Sequence, residues 1–247
     1  MRIDFLTLFT DMVECYCSDS IVGRAREKGI LDIRARNIRD YTADRQKRVD
    51  DAPFGGGMGM LMQIQPIDAC YASLVEENGG EHIHLIYMSP KGRILTQQRA
   101  LELSKMGRFA ILCGRYEGVD ERVIDTLVDE EISVGDYVVT GGELPGLMLA
   151  DCVSRLVPGV LSDDVCFTEE SHFSGLLEYP QYTRPADYNG LTVPEVLLSG
   201  HHANIERWRR EQSLLITARR RPDMLEKCAL TDADRRFLEK MKNEDPD

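Results

Sequence analysis

The sequence predicts an α/β fold with a mostly parallel sheet, followed by a small helical C-terminal domain. Short apolar runs alternate with helical patterns through the first two-thirds of the chain. This alternation is typical of sheets whose parallel strands are connected by helices. The pattern then ends at Pro158-Gly159, a strong stop signal, and becomes first polar and later helical. We therefore predict a sheet domain at 1–159, a linker at 160–173 and a helical domain at 174–247.

The predicted elements follow one another in order. Strands are predicted at Ile3–Phe9, Leu31–Ile38, His82–Met88, Phe109–Cys113 and, as a shorter candidate, Glu131–Val134. The helices between and after them are predicted near Asp11–Ser18, Ile67–Glu77, Thr96–Lys105, Asp120–Leu127 and Gly146–Val157. In the C-terminal part, helices are predicted at Pro194–Leu198, His202–Thr217 and Pro222–Leu230, and a last one begins at Thr231 with a near capping box. The segment Tyr179–Tyr188 is predicted to be irregular but ordered.

The composition argues against several classes of protein. With 43% hydrophobic and 29% charged residues, the 247-residue chain can bury a normal core. No run approaches the ~18 apolar residues that cross a bilayer, and the N-terminal segment MRIDFLTLF is predicted as a strand rather than a signal peptide. We therefore expect a cytoplasmic protein with no membrane partner. The seven cysteines and five histidines show no metal-ligand spacing, which predicts reduced thiols and no structural metal.

The charge is unevenly distributed along the chain. A net charge of −12 argues against sequence-blind binding of nucleic acid. Between His201 and Arg221, however, six arginines stand against two glutamates. This local excess of positive charge predicts either an RNA-binding patch or the solvated face of a helix.

Three glycine-containing loops follow predicted strand ends or short apolar runs, at Tyr87–Arg93, Cys113–Gly118 and Val134–Gly142. In open α/β sheets the ligand lies outside the carboxyl ends of the strands. Taken alone, each loop is more typical of an ordinary turn, but three together favour a nucleoside-like ligand held largely by main chain. Their spacing differs from the G-x-G-x-x-G pattern of NAD sites. The earlier segment Asp50–Met60 has four glycines in five positions, which predicts a tight turn or a close contact with RNA.

Seven longer motifs, in order, carry a resemblance to a known family. They are VDDAPFGGGMGMLM, SPKGR, CGRYEGVDERV, SVGDYVVTGGELP, SRLVPGVL, YPQYTRP and VPEVLLSGHHANIERWR. Through them the chain closely resembles the bacterial tRNA (guanine-37-N1)-methyltransferases, which belong to the knotted (SPOUT) class. The resemblance implies a deep trefoil knot, a rare exception to the rule that chains do not thread. It also implies a homodimer whose active site lies at the subunit interface.

The resemblance implies S-adenosylmethionine as methyl donor, bound by the three loops. By motif match, the residues implied in binding it are Tyr87, Ser89, Pro90, Gly114, Tyr116, Glu117, Val134, Gly135, Asp136, Tyr137, Val138, Val139, Gly141 and Gly142. Glu117 is a candidate for orienting the sulfonium or a Mg²⁺ ion. From the residues alone, its role would be that of a carboxylate at a helix N-terminus.

The chemistry of guanine defines what else to look for. N1 carries a proton at neutral pH, and its removal places negative charge on O6, so a base and a cation are needed. The resemblance implies a general base in the linker, where the family has an aspartate before serine. Glu170 occupies that position here, and its neighbour Glu169 is the rival. Arg155 matches the arginine that steadies O6 or the base. The extra methylene of glutamate moves the carboxylate by about one bond length.

The substrate implied by the resemblance is a tRNA with guanosine just 3′ of the anticodon, whose base must leave its stack to react. Arg207, Arg209 and Arg210 are candidates for phosphate contacts, and Tyr182 for stacking. Trp208 is expected to pack in the core. Two alternatives stay open: an rRNA or ribose 2′-O methyltransferase of the same fold, and a non-catalytic RNA- or cofactor-binding module.

Overall fold

The computed structural model describes residues 1–162 and 170–244, with side chains through residue 241. Its contacts divide the chain into two compact units, residues 1–164 and 165–247. Part of the predicted linker at 160–173, including Glu169, lies outside the described residues, as do Cys166 and the end of the tail. The linker assignment therefore stays a prediction.

The first unit is built on a five-stranded sheet in which every pairing is parallel. The strand order is β2-β1-β6-β5-β7. This confirms the predicted mixed α/β fold with a parallel central sheet. The five strands are β1 Arg2–Thr7, β2 Asp32–Asn37, β5 Leu85–Ile94, β6 Arg108–Leu112 and β7 Glu130–Ser133. Two short strands, β3 Asp50–Asp51 and β4 Leu61–Met62, pair antiparallel on either side of the glycine-rich segment.

Helices connect the strands of this unit. They are α1 Thr10–Cys17, α2 Ser20–Glu27, α3 Ile64–Glu77, α4 Gln97–Leu103, α5 Glu121–Thr126 and α6 Glu143–Ser154, with a 3-10 helix at Ile38–Tyr41. The helix α2 was not predicted. It begins where the Asp19 side chain accepts a hydrogen bond from the Ser20 amide, as N-cap carboxylates do.

The core of this unit explains why the strands form. Along β1, consecutive residues from Ile3 to Thr7 are buried, because helices cover both faces of a parallel sheet. On one face, Leu6, Leu85 and Leu112 pack in one cluster with Ile67 and Leu74 of α3. Continuous apolar runs in β1, β5 and β6 are therefore required by the architecture.

A charged cluster occupies the amino-terminal ends of β1 and β6. The Asp4 side chain is fully buried and lies 2.9 Å from Arg2 Nη2 and 3.0 Å from Arg108 Nη2. Arg36 Nε lies 3.9 Å away on β2. An unpaired carboxylate at this depth would cost several kcal/mol, so the arginines make its burial possible.

The second unit contains four helices and a hairpin among its described residues. They are α7 Glu195–Leu198, α8 His202–Arg220, α9 Pro222–Leu225 and α10 Asp232–Glu244, with strands β8 Asp187–Tyr188 and β9 Leu191–Thr192. The hairpin begins within the segment predicted to be irregular. The capping box of α10 is confirmed, since Thr231 Oγ1 accepts from the Asp234 amide at 3.2 Å and Asp234 Oδ2 from the Thr231 amide at 2.9 Å. Asp234 also holds α10 against α8 through Arg210, whose Nη2 lies 2.8 Å from Oδ2.

Within the described ranges, no helix has the length and apolar character needed to cross a membrane.

Candidate cofactor pocket

A cavity of about 340 Å³ opens at the carboxyl ends of β5, β6 and β7, which are neighbours in the sheet. Pockets for small molecules have volumes of ~300–1,000 Å³. Its wall is formed by the three glycine-containing loops and the start of α6. Every cofactor contact implied by the motifs lines it except Gly135 and Asp136. Those two lie in the same loop, where Ser133 Oγ donates to the Gly135 carbonyl at 3.0 Å and stabilises its turn.

The first loop is an interruption within a strand. Met88 and Arg93 both pair with Ile132, so residues 89–92 leave the ladder and form one wall of the cavity. The predicted end of this strand at Met88 was wrong, because pairing with β7 resumes beyond the loop. Ser89 is buried, and its hydroxyl accepts a hydrogen bond from the Lys91 amide at 3.2 Å.

Tyr87 lies at the base of the same wall. Burial raises the pKa of its hydroxyl to about 12, and the nearby Glu131 carboxylate adds to the effect. The hydroxyl therefore stays protonated through the neutral pH range.

The second and third loops approach each other through main chain. The Gly142 amide donates to the Gly114 carbonyl at 2.8 Å. A Cβ at Gly142 would lie 2.7 Å from Cys113 Cα, and one at Gly114 would lie 2.8 Å from Tyr87 Oη. Both distances are shorter than side chains tolerate, so glycine at these positions permits the close approach.

A buried ion pair joins the second loop to α6. Arg115 Nε lies 2.9 Å from Glu143 Oε2, without hydrogen-bond geometry, so the contact is mainly electrostatic. Glu143 Oε1 accepts a hydrogen bond from Thr7 Oγ1 at 2.8 Å. Arg115 also donates to the Thr140 carbonyl at 3.2 Å, and its guanidinium lies 4.3 Å above the Phe9 ring. These contacts fix the position of a cation in the pocket wall.

The rim of the pocket is polar and exposed. Tyr116 adopts a left-handed backbone conformation with φ +58°, and its ring is half exposed. Arg39 Nη2 donates to Tyr116 Oη at 3.5 Å. Glu117 is exposed beside it, and its amide donates to the Met60 carbonyl at 3.0 Å.

Comparison with known proteins identifies the family. The family model described as "tRNA (Guanine-1)-methyltransferase TrmD" matches residues 1–227. The chain belongs to this family. Similar proteins named tRNA (guanine-N(1)-)-methyltransferase occur in Ruminiclostridium cellulolyticum (57% identity over 92% of this chain and 97% of the relative) and Alkaliphilus oremlandii (53% over 98% and 99%). One from Staphylococcus epidermidis is 48% identical over 99% of this chain and all of the relative.

The two residues expected to run the chemistry of the family lie apart from the pocket lining. Arg155 follows the last residue of α6, and its amide donates to the Asp151 carbonyl at 3.1 Å. Glu170 belongs to the second unit and is half-buried. Neither lines the cavity. Their catalytic roles stay predictions.

The residues expected to contact tRNA lie in the second unit. Arg207 is exposed on α8, while the Arg209 guanidinium lies 4.9 Å from the Tyr179 ring. Arg210 is held by Asp234. The half-exposed Tyr182 ring lies 6.4 Å from Trp208 at an interplanar angle of 50°, and Tyr182 also lines a separate cavity of about 400 Å³.

Several lining residues were not singled out from the sequence. Arg115, Lys91 and Pro145 lie inside the quoted motifs, but nothing in the motifs shows which side chains face the cavity. The Arg115–Glu143 pair joins residues 28 positions apart, so no local spacing predicts it. Among the described residues, no group of three or more His, Cys, Asp or Glu side chains is arranged to hold a metal ion.

Proposed function

We propose that this chain transfers a methyl group from S-adenosylmethionine to N1 of the guanosine at position 37 of tRNA, in the cytoplasm. Its family consists of tRNA (guanine-N1)-methyltransferases, which implies this donor and a tRNA substrate. The observation that carries the proposal is the cavity at the carboxyl ends of three adjacent parallel strands, lined by the residues that the family motifs imply. Ligands of open α/β sheets occupy this position.

The lining suits a nucleoside. Pro90, Ile132 and Val138 supply apolar surface, and the glycines of the second and third loops bring main-chain polar groups to the cavity. When bound, S-adenosylmethionine supplies an electrophilic methyl group on a sulfonium. We propose that Glu117, at the rim, orients that charged end or a Mg²⁺ ion. The close backbone approach of Gly142 to Cys113 and Gly114 supports a knotted path of the chain.

The reaction also needs the proton on N1 to be removed. We propose Glu170 as the base that accepts this proton, and Arg155 as the cation that stabilises the charge on O6. Glutamate keeps the carboxylate chemistry of the aspartate expected at this position. Positioning then decides the rate, because a displacement of about 1 Å can cost on the order of a hundredfold.

We further propose a homodimer in which a second copy completes the active site. Leu144 and Met148 on α6 are 53% and 51% exposed, and Phe9 is 47% exposed. Leu144 and Met148 lie four residues apart, on one face of the helix. Exposed apolar surface of this kind marks interaction sites. Arg207, Arg209 and Arg210 would contact tRNA phosphates, and Tyr182 would stack on a base.

A labelled-methyl assay tests the activity. Transcripts with guanosine or adenosine at position 37 are compared, and we expect incorporation only into the first. Equal incorporation would refute the assignment of the base. The same assay with EDTA, followed by Mg²⁺ addition, shows whether the metal is required.

The role of Glu170 is tested with Glu170→Gln, using Glu195→Gln as the control because Glu195 is exposed in the same unit. We expect kcat to fall by about 10²–10⁴-fold in the first variant only, the range for general bases. Cofactor affinity, measured by calorimetry, should be unchanged in both. Unchanged turnover in Glu170→Gln would favour a ribose methyltransferase. Normal cofactor binding without turnover in the wild-type protein would favour a non-catalytic module.

A further inference from the structure

Residues 42–48 of the first unit form a closed turn, here called the basic turn. Asp44 Oδ1 accepts from the Gln46 amide at 2.7 Å, and Thr42 Oγ1 donates to the Arg48 carbonyl at 2.9 Å. Lys47 completes the turn in a left-handed conformation with φ +56°. The side chains between the two ends are therefore presented by a pre-organised backbone.

The basic turn carries three exposed cations. Arg45 has no hydrogen bond or carboxylate partner in the described part of the chain. Lys47 Nζ lies 2.7 Å from Asp40 Oδ1, and both side chains are more than half exposed. Exposed pairs of this kind contribute little, so Lys47 can exchange its partner for a phosphate. Arg48 instead holds the turn closed, since its Nη2 lies 2.8 Å from Asp44 Oδ2.

Arg39 connects the basic turn to the rim of the pocket. Its Nη1 donates to the Lys47 carbonyl at 3.1 Å and its Nη2 to Tyr116 Oη at 3.5 Å. Tyr116 lines the cavity. Arg39 has no carboxylate partner among the described residues. A second group of cations, separate from the arginines of α8, therefore lies directly beside the candidate cofactor site.

We propose that the basic turn binds the phosphate backbone of the anticodon arm next to the methylated guanosine. The proposal rests on the proposed function. An RNA strand fits better than other partners because a base that enters the pocket brings its own phosphates to the rim, where these cations lie. Phosphate contacts of this kind fix the position and orientation of a nucleic acid without reading its sequence. The chain is acidic overall, so cations placed here add local attraction at the site of reaction.

The test compares Arg45→Gln/Lys47→Gln with Arg24→Gln/Lys28→Gln. The control variant removes the same charge from the same unit, at exposed positions on and just after α2, none of which lines the pocket. The dissociation constant for a tRNA with guanosine at position 37 is measured from 50 to 200 mM salt. Each lost phosphate contact lowers the slope of log K against log salt by about 0.7–0.9, so two lost contacts reduce the change in affinity over this range by on the order of tenfold.

We expect this loss of slope in the basic-turn variant and an unchanged slope in the control. KM for tRNA should rise while kcat at saturating tRNA and the affinity for S-adenosylmethionine stay at wild-type values. Circular dichroism confirms that both variants are folded. Equal slopes in the two variants, or a lower kcat with an unchanged KM, would overturn the proposal. The proposed function fails separately, if the wild-type protein does not methylate the guanosine transcript.

Discussion

Replacing Glu143 with glutamine should destabilise the first unit by about 3 kcal/mol, near the lower end of the range for breaking a buried ion pair. Glu143 is 1% exposed and faces Arg115 Nε at 2.9 Å. Glutamine keeps an oxygen for the Thr7 hydroxyl but removes the charge. We choose the lower end because Arg115 keeps its contacts with Thr140 and Phe9.

The assay is thermal unfolding by scanning calorimetry. A change of 1 kcal/mol shifts the midpoint by about 2–4 °C in a unit of this size, so we expect a decrease of about 6–12 °C. Glu102→Gln is the matched control, because Glu102 pairs with Arg99 at 2.8 Å but its side chain is 49% exposed. Exposed pairs contribute about 0–1 kcal/mol. Equal shifts in the two variants would refute the argument that burial decides the effect.

Glu143→Gln should also weaken binding of S-adenosylmethionine, because Arg115 lines the pocket and loses the group that fixes its position. Calorimetric titration measures this at a temperature where both variants are folded. An unchanged affinity, together with the expected loss of stability, would show that the ion pair supports the fold but not the pocket.

Three further predictions follow from single contacts. Gly142→Ala should reduce affinity for S-adenosylmethionine at least about tenfold, the equivalent of 1.4 kcal/mol, whereas Gly29→Ala, with open space around its Cβ, should alter stability only; equal titrations would contradict this. The hydrogen bond from Arg210 lowers the pKa of Asp234 to about 2, so its stabilising effect is present above pH ~4 and lost towards pH 2; denaturation of Asp234→Asn across this window should show the difference from wild type shrinking as pH falls. Burial raises the pKa of the Cys113 thiol well above its usual value, so alkylation followed by mass spectrometry should label the exposed Cys15 first and Cys113 only after unfolding.

The sequence predicted the five main strands because a parallel sheet covered on both faces demands continuous apolar runs. It did not predict α2, whose sequence SIVGRARE combines glycine with three charged residues. Nor did it predict the return of β5 to the ladder after residue 92, because SPKGRI has no apolar period. That return depends on pairing with Ile132 and Ser133, which are distant in the sequence.

The lining of the site was largely predicted because its loops follow strand ends, and the carboxyl ends of parallel strands share one edge. The charged contacts around it were not predicted. Arg39 and Tyr116 are 77 positions apart, and Arg115 and Glu143 are 28 apart. Which cation meets which carboxylate or hydroxyl is decided by the packing of the whole unit, and single-sequence spacing does not contain that information.

The buried cluster around Asp4 has a practical consequence for protein engineering. It lies at the amino-terminal ends of β1 and β6, whereas the pocket opens at the carboxyl ends of the strands beside them. A library directed at Arg2, Arg36 and Arg108 would therefore sample heat tolerance separately from ligand affinity. Replacing the whole cluster with apolar residues of matched volume is the variant to include first, since such replacements of buried ion pairs are often neutral or stabilising. A thermotolerant version obtained in this way would keep the opposite end of the sheet intact for inhibitor screening.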